Sequence, residues 1–213
     1  MFKSKAAPAA IIALSLAACS TPDGQLSETG VTATRSACPA VAIPAATGDI
    51  TLFRPEGSRD SSAIDVVANI TNLRSTCDES GSNIVTTVTF DVQAQRRDGR
   101  GAREVVLPYF VVALQGGTQV QSKSVSRVGL SFADGQLRAS TRGTASGQVS
   151  RAAVTLPEDI RQQITRRRKP GDPSAAIDPM ADPAVRDAVR KATFEVLVGF
   201  QLTQDQLAYN ATR

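Results

Sequence analysis

The sequence predicts an all-β fold, an antiparallel β-sandwich of immunoglobulin-like or fibronectin-like kind with a helical insertion before its last strand and a short C-terminal helix. Three observations carry that expectation. Apolar and polar residues alternate through most of the chain after Cys38, clusters of Gly, Pro and Asp punctuate the alternating segments, and no long amphipathic helix pattern occurs before Pro157. The chain has no Trp, so the buried Trp of antibody domains is missing and the analogy covers layout only.

The first strand is expected at 50–53, a short apolar run stopped by Pro55. In 64–71, Ile64, Val66, Ala68 and Ile70 alternate with Asp65, Asn69 and Thr71, which sends one face inward. The cleanest strand is 84–95, where Ile84, Thr86, Val88, Phe90, Val92 and Ala94 share a face. It ends at Asp98-Gly99-Arg100-Gly101, a turn signal followed at once by the apolar run 105–114, and the pair predicts an antiparallel hairpin. The second run is apolar on both faces. Its Pro108 cannot donate to a ladder, so a bulge or an edge position is expected there.

Gly116-Gly117 turns the chain into a strand at 120–132, whose uneven phase near Val125 to Arg127 predicts a bulge. After Ala133-Asp134-Gly135, a weaker strand is expected at 148–156 and a last one at 193–202, with Phe194, Val196, Val198, Phe200 and Leu202 on one face. Between them, 157–191 reads as an insertion. Pro157-Glu158-Asp159 opens one helix that closes on Arg166, Arg167, Arg168 and Lys169, and Asp182-Pro183 caps a second. Prolines, glycine and mixed charge lead us to expect that the insertion buries little and serves interaction. Thr203 and Gln206 have capping-box spacing, which predicts the terminal helix.

The N-terminus has a different logic. Lys3 and Lys5 form a short basic region, 6–16 an apolar one, and Leu16-Ala17-Ala18 leads directly into Cys19. The arrangement resembles the lipobox of bacterial lipoproteins, in which the leader is cut before the Cys and that Cys is acylated. The resemblance implies a signal peptide at 1–18, lipidation of Cys19, and attachment to a membrane through acyl chains. Ser20 follows the Cys where that family uses Asp for inner-membrane retention, which implies the periplasmic face of the outer membrane, with the inner membrane as the alternative. Residues 19–37 then form the lipidated end and a polar tether, and 38–213 the domain. The apolar stretch is too short to span ~30 Å of hydrocarbon as a helix.

Cysteine arithmetic agrees with this. Three cysteines in an exported chain leave one without a partner; with Cys19 lipidated, Cys38 and Cys77 remain as a pair for a disulfide.

The 213 residues include no histidine, which removes Ser-His-Asp and Cys-His catalysis and His-ligated zinc. Aromatics are 4% of the chain, leaving few stacking platforms for sugars or bases. The pI of about 9.2 rests on a net charge of only +4, of which two charges lie in the leader, so no nucleic-acid partner is expected. Asp65 and Asp91 fall on outward faces and are expected to be solvated. Asp172, Asp178 and Asp182 lack the alternate-residue spacing of a calcium loop and are expected in caps and turns. Catalytic residues, metal ligands and cofactors are therefore not assigned. Arg166, Arg167, Arg168 and Lys169 suit either an anionic lipid surface or favourable contact with the helix dipole.

The run Leu197-Val198-Gly199-Phe200-Gln201-Leu202-Thr203 with Leu207-Ala208-Tyr209-Asn210, and Leu107-Pro108-Tyr109-Phe110 upstream, resembles a group of alphaproteobacterial envelope lipoproteins. The resemblance implies a lipidated sandwich domain, brings no known activity with it and leaves the function open. Two function classes follow: a non-enzymatic structural or protein-interaction module of the envelope, or a lipoprotein that binds or modifies a glycan, peptidoglycan or lipid.

Overall fold

The computed structural model describes residues 26–27, 30–31, 36–166, 171 and 177–212. The chain divides into two units, Met1–Thr34 and Arg35–Arg213. In the first, β1 (Leu26–Ser27) and β2 (Gly30–Val31) form a short antiparallel ladder. The leader and Cys19 lie outside the described residues.

The second unit holds two four-stranded sheets. One has the order β3 (Ala40–Ala42), β10 (Phe194–Phe200), β7 (Arg103–Gln115) and β8 (Gln119–Phe132). The other runs β4 (Asp49–Phe53), β5 (Ile64–Asp78), β6 (Asn83–Arg96) and β9 (Arg138–Ser150). Their inner faces share one apolar core, in which Val66, Val88 and Phe90 of one sheet meet Leu107, Leu130, Val196 and Phe200 of the other. The Phe90 and Tyr109 rings meet edge to face at 5.2 Å, a favoured aromatic geometry. Three short helices, α1 (Arg151–Val154), α2 (Glu158–Thr165) and α3 (Pro183–Lys191), precede β10, and α4 (Gln204–Ala211) follows it. The fold is thus mixed, two four-stranded sheets with a helical segment before the last strand. Among the described residues no helix is long and apolar enough to cross a membrane.

Several expectations are corrected. β6 and β7 do not form a hairpin, because β6 pairs with β5 and β9 while β7 pairs with β10 and β8 in the other sheet. Both strands need their apolar faces covered, and stacking across the core covers both where side-by-side pairing would not. The pairing is not wholly antiparallel either: β10 runs parallel to β3, with Val196 opposite Val41.

Pro108 sits in an interior strand. In an antiparallel ladder a residue's N and C=O point toward the same neighbour, and the Pro108 carbonyl accepts from Gln201 N at 2.9 Å. The missing donor therefore faces the chain just past Phe200, where β10 has ended, and costs no ladder bond within β10. The bulge expected near Val125 lies instead at Ala113/Leu114, opposite Val120 and Ser122.

The sixth strand is displaced. Residues 148–156 split between the end of β9 and α1, and the strand itself covers Arg138–Ser150. Its inward face is written in small residues, with Gly143, Ala145, Gly147 and Val149 buried, and this hides it from a search for large apolar alternation. The glycines are required by what lies over them: a Cβ on Gly143 would come within 2.3 Å of Phe90 Cζ, and one on Gly147 within 2.9 Å of Val196 Cγ2. Gly143→Ala should cost about 2 kcal/mol through overpacking, read as a lower urea midpoint at unchanged slope. Phe90→Leu in the same chain should recover part of that loss.

The helices bury more than their composition suggests. Ile160 and Val185 are buried, and Val154 joins Ile84, Ala113, Val149 and Phe194 in a second apolar cluster. The expected caps are present: Asp182 accepts from Ala184 N, and Thr203 and Gln206 form a reciprocal capping box.

Candidate binding surface

One side of the second unit leaves two strand edges open. Gly116 N donates to Thr193 O, and Gln201 N to Pro108 O, so the even-numbered backbone groups of β7 face β10 and the odd ones face β8. The register Val111↔Ser124 and Tyr109↔Ser126 then turns the even residues of β8 toward β7. The N–H and C=O groups of Lys123, Val125 and Arg127 therefore point to the free edge. On β9, Leu137 O accepts from Arg96 N and Arg151 N donates to Ser82 O, so odd residues face β6 and even ones face outward. Tyr109 Oη donates to Thr144 O at 2.8 Å, in keeping with that phase.

Between these edges lies a cleft of about 360 Å³, walled by Ser122 and Ser124 of β8 and Ser146 and Gln148 of β9, with Val111 and Ala113 of β7 in its lining. Its openness follows from the sequence of β8. Phe132, Leu130 and Val128 fill the inner face, and the same phase continues as Ser126, Ser124 and Ser122, all exposed. On the opposite face Val125 is 55% exposed and Val106 of β7 is 52% exposed, while Lys123 lies over the Phe110 ring at 5.1 Å. Long edge strands are usually blunted by charged side chains, Pro, bulges or a covering element. Among the described residues β8 carries only the first of these along Ser122–Phe132, in Lys123 and Arg127.

Two further hollows are polar. One of about 600 Å³ on the outer face of the second sheet is lined by Asn69, Gln93, Gln95, Arg138 and Ser140. Another of about 560 Å³ lies where β4 meets the start of α4, with Arg54, Arg59, Asp65, Arg103 and Asp205 on its walls. There Asp65 is not solvated as expected. Arg103 donates to both carboxylate oxygens at 2.8 and 2.7 Å, and the Asp65 side chain is 12% exposed. The Arg103 hydrogen bonds, against an opposing burial effect, hold the Asp65 carboxyl below its ordinary value of 3.8. A depressed folded-state pKa gives stability that is present above about 3.8 and lost as pH falls through the lowered value. Asp65→Asn should therefore be less stable than the parent at pH 7 and show a flatter loss of urea midpoint from pH 5 to pH 2.

Asp91 bonds Asn72 and Arg142, which lower its pKa. Asp98, exposed and clasped by Arg100, is held at about 2. Asp178 and Asp182 cap short helical turns as expected, and Asp172 lies outside the described residues. Of the basic run, Arg166 is exposed just beyond α2, which ends at Thr165; Arg167, Arg168 and Lys169 lie outside the described residues.

Cys38 and Cys77 form a disulfide, with Cα atoms 6.1 Å apart. Glu79 Oε1 lies 2.8 Å from Cys38 Sγ, and the three groups fall within 4.8 Å of one another. Joined as a disulfide the sulfurs are not thiolates, so this cluster is not a metal site in the oxidised protein.

Sequence reasoning missed Arg96. It is 2% exposed, and its guanidinium donates to the carbonyls of Gly99, Gly101, Ala133 and Gln136. The signal was its phase: Arg96 continues the inward series Val88, Phe90, Val92 and Ala94. Comparisons with protein-family models, curated proteins and solved structures returned no match.

Proposed function

We propose that the protein is a lipid-anchored envelope lipoprotein whose folded part, an immunoglobulin-like β-sandwich, serves as a non-enzymatic protein-interaction module at the periplasmic face of the outer membrane. The observation that carries the interaction reading is the open β8 edge, blunted only by Lys123 and Arg127 among the described residues, beside an open cleft. Two sheets around one core support the sandwich. The Cys38–Cys77 disulfide supports an oxidising compartment and leaves Cys19 as the remaining cysteine, in lipobox context. A lipidated Cys19 followed by a polar tether holds such a module near the membrane without a spanning helix.

A second reading, a glycan or peptidoglycan ligand, is favoured by the hollow lined with Asn69, Gln93 and Gln95, whose amides offer donors and acceptors. The two readings separate by photo-crosslinking in intact cells. A photoreactive residue at position 125 should give a discrete protein adduct, and one at Gln93 should not. A protein adduct at neither position would contradict the interaction reading, and a glycan adduct from Gln93 would favour the second.

A further inference from the structure

We infer that the β8 edge takes an extended polypeptide segment as an added strand, and that the segment it selects carries acidic residues four apart around an apolar centre. The inference rests on the interaction reading above and names the chemistry of its partner.

The backbone comes first. The outward N–H and C=O groups of Lys123, Val125 and Arg127 recur every second residue, the spacing at which an incoming strand pairs. Alternate side chains of that strand would meet two different surfaces. On the outer face they would lie opposite Lys123, Val125 and Arg127, all exposed, so the complementary series is acid, apolar, acid. On the inner face the two intervening side chains would lie opposite Ser124 and Ser126, whose small exposed side chains leave room, and the one opposite Ser124 would reach the cleft, where Val111 and Ala113 supply apolar surface. The pattern that fits is acid, apolar, β-branched, apolar, acid.

Charge argues against a second copy of the chain on this edge. A two-fold axis through Val125 would set Lys123 of one copy opposite Arg127 of the other, and like charges directly opposite oppose pairing. No described carboxylate forms an ion pair with Lys123 or Arg127, although Glu104 lies close to Gly129 one step along the same face. The edge is therefore cationic where the exposed valine sits.

The test uses the full-length chain in detergent and two fluorescein-labelled peptides, one centred on Glu-Val-Val-Val-Glu and one on Lys-Val-Val-Val-Lys, read by fluorescence polarisation. The acidic peptide should bind at least tenfold more tightly, and K123E with R127E should reverse the preference. Val125→Pro removes an outward donor and no bond to β7, so it should weaken the acidic peptide at least tenfold while shifting the melting temperature by only a few degrees. Equal binding of both peptides, no binding of the acidic one at millimolar concentration, or binding indifferent to Val125→Pro would overturn the proposal. Failure here together with a protein adduct from position 125 in cells would overturn strand addition and its charge rule while leaving the interaction module standing.

Discussion

Arg96→Met should lower the melting temperature by about 10 °C, followed by far-UV circular dichroism. The four carbonyls that Arg96 binds, at 2.6 to 2.9 Å, belong to two loops that both pass from one sheet to the other. One joins β6 to β7 and the other joins β8 to β9. The guanidinium also lies over the Phe132 ring at 5.2 Å, so one side chain ties both crossings to the core. Its planar fork is what lets it serve four acceptors at once. Hydrogen bonds to a charged donor contribute about 1.5–3 kcal/mol, and methionine restores volume but none of them, so a net loss of about 3 kcal/mol is expected. In a domain of this size each kcal/mol moves the midpoint by about 2–4 °C. Arg96→Lys should fall between the two, because an ammonium cannot span both loops. An unchanged midpoint in Arg96→Met would mean that the loops hold themselves.

Removing the disulfide should have the larger effect. Cys38 and Cys77 are 39 residues apart, and closing a loop of that length withdraws about 4 kcal/mol of freedom from the unfolded chain. The paired substitutions Cys38→Ser and Cys77→Ser should therefore lower the midpoint by about 10–15 °C. Reduction of the parent protein should reproduce the shift. The link also sets where the domain begins, since Cys38 stands just before β3, the short strand that pairs in parallel with β10.

Much of this fold is legible in period-two alternation, and the failures have physical causes. Strand β6 announces itself because Ile84, Val88, Phe90 and Val92 are large and each faces the core. Strand β9 does not, because Phe90 of its neighbour β6 lies over Gly143 and Val196 of the facing sheet over Gly147, so most of its inward positions are glycine and alanine. The Asp98–Gly101 signal marks a turn correctly, but a turn signal does not say whether the chain returns beside its strand or crosses to another sheet. That decision is made by Arg96 and by the apolar faces on both sides of β7. Pro108 signals a bulge or an edge at β7, whereas the strand is interior and the exposed edge belongs to β8. The clue to that edge lies in the serines at 122, 124 and 126, which stand in phase with Val128 and Leu130 and end the core on that side.

The central claim, an exported and lipid-anchored chain with an oxidised folded part, is tested most directly by the intact mass of the protein recovered from cell membranes. The account predicts a chain beginning at Cys19 and enlarged by acyl groups. Its mass should rise by two hydrogens on reduction, as the Cys38–Cys77 bond opens. A membrane-recovered chain that retains Met1, or one cut elsewhere and free of acyl groups, would contradict it.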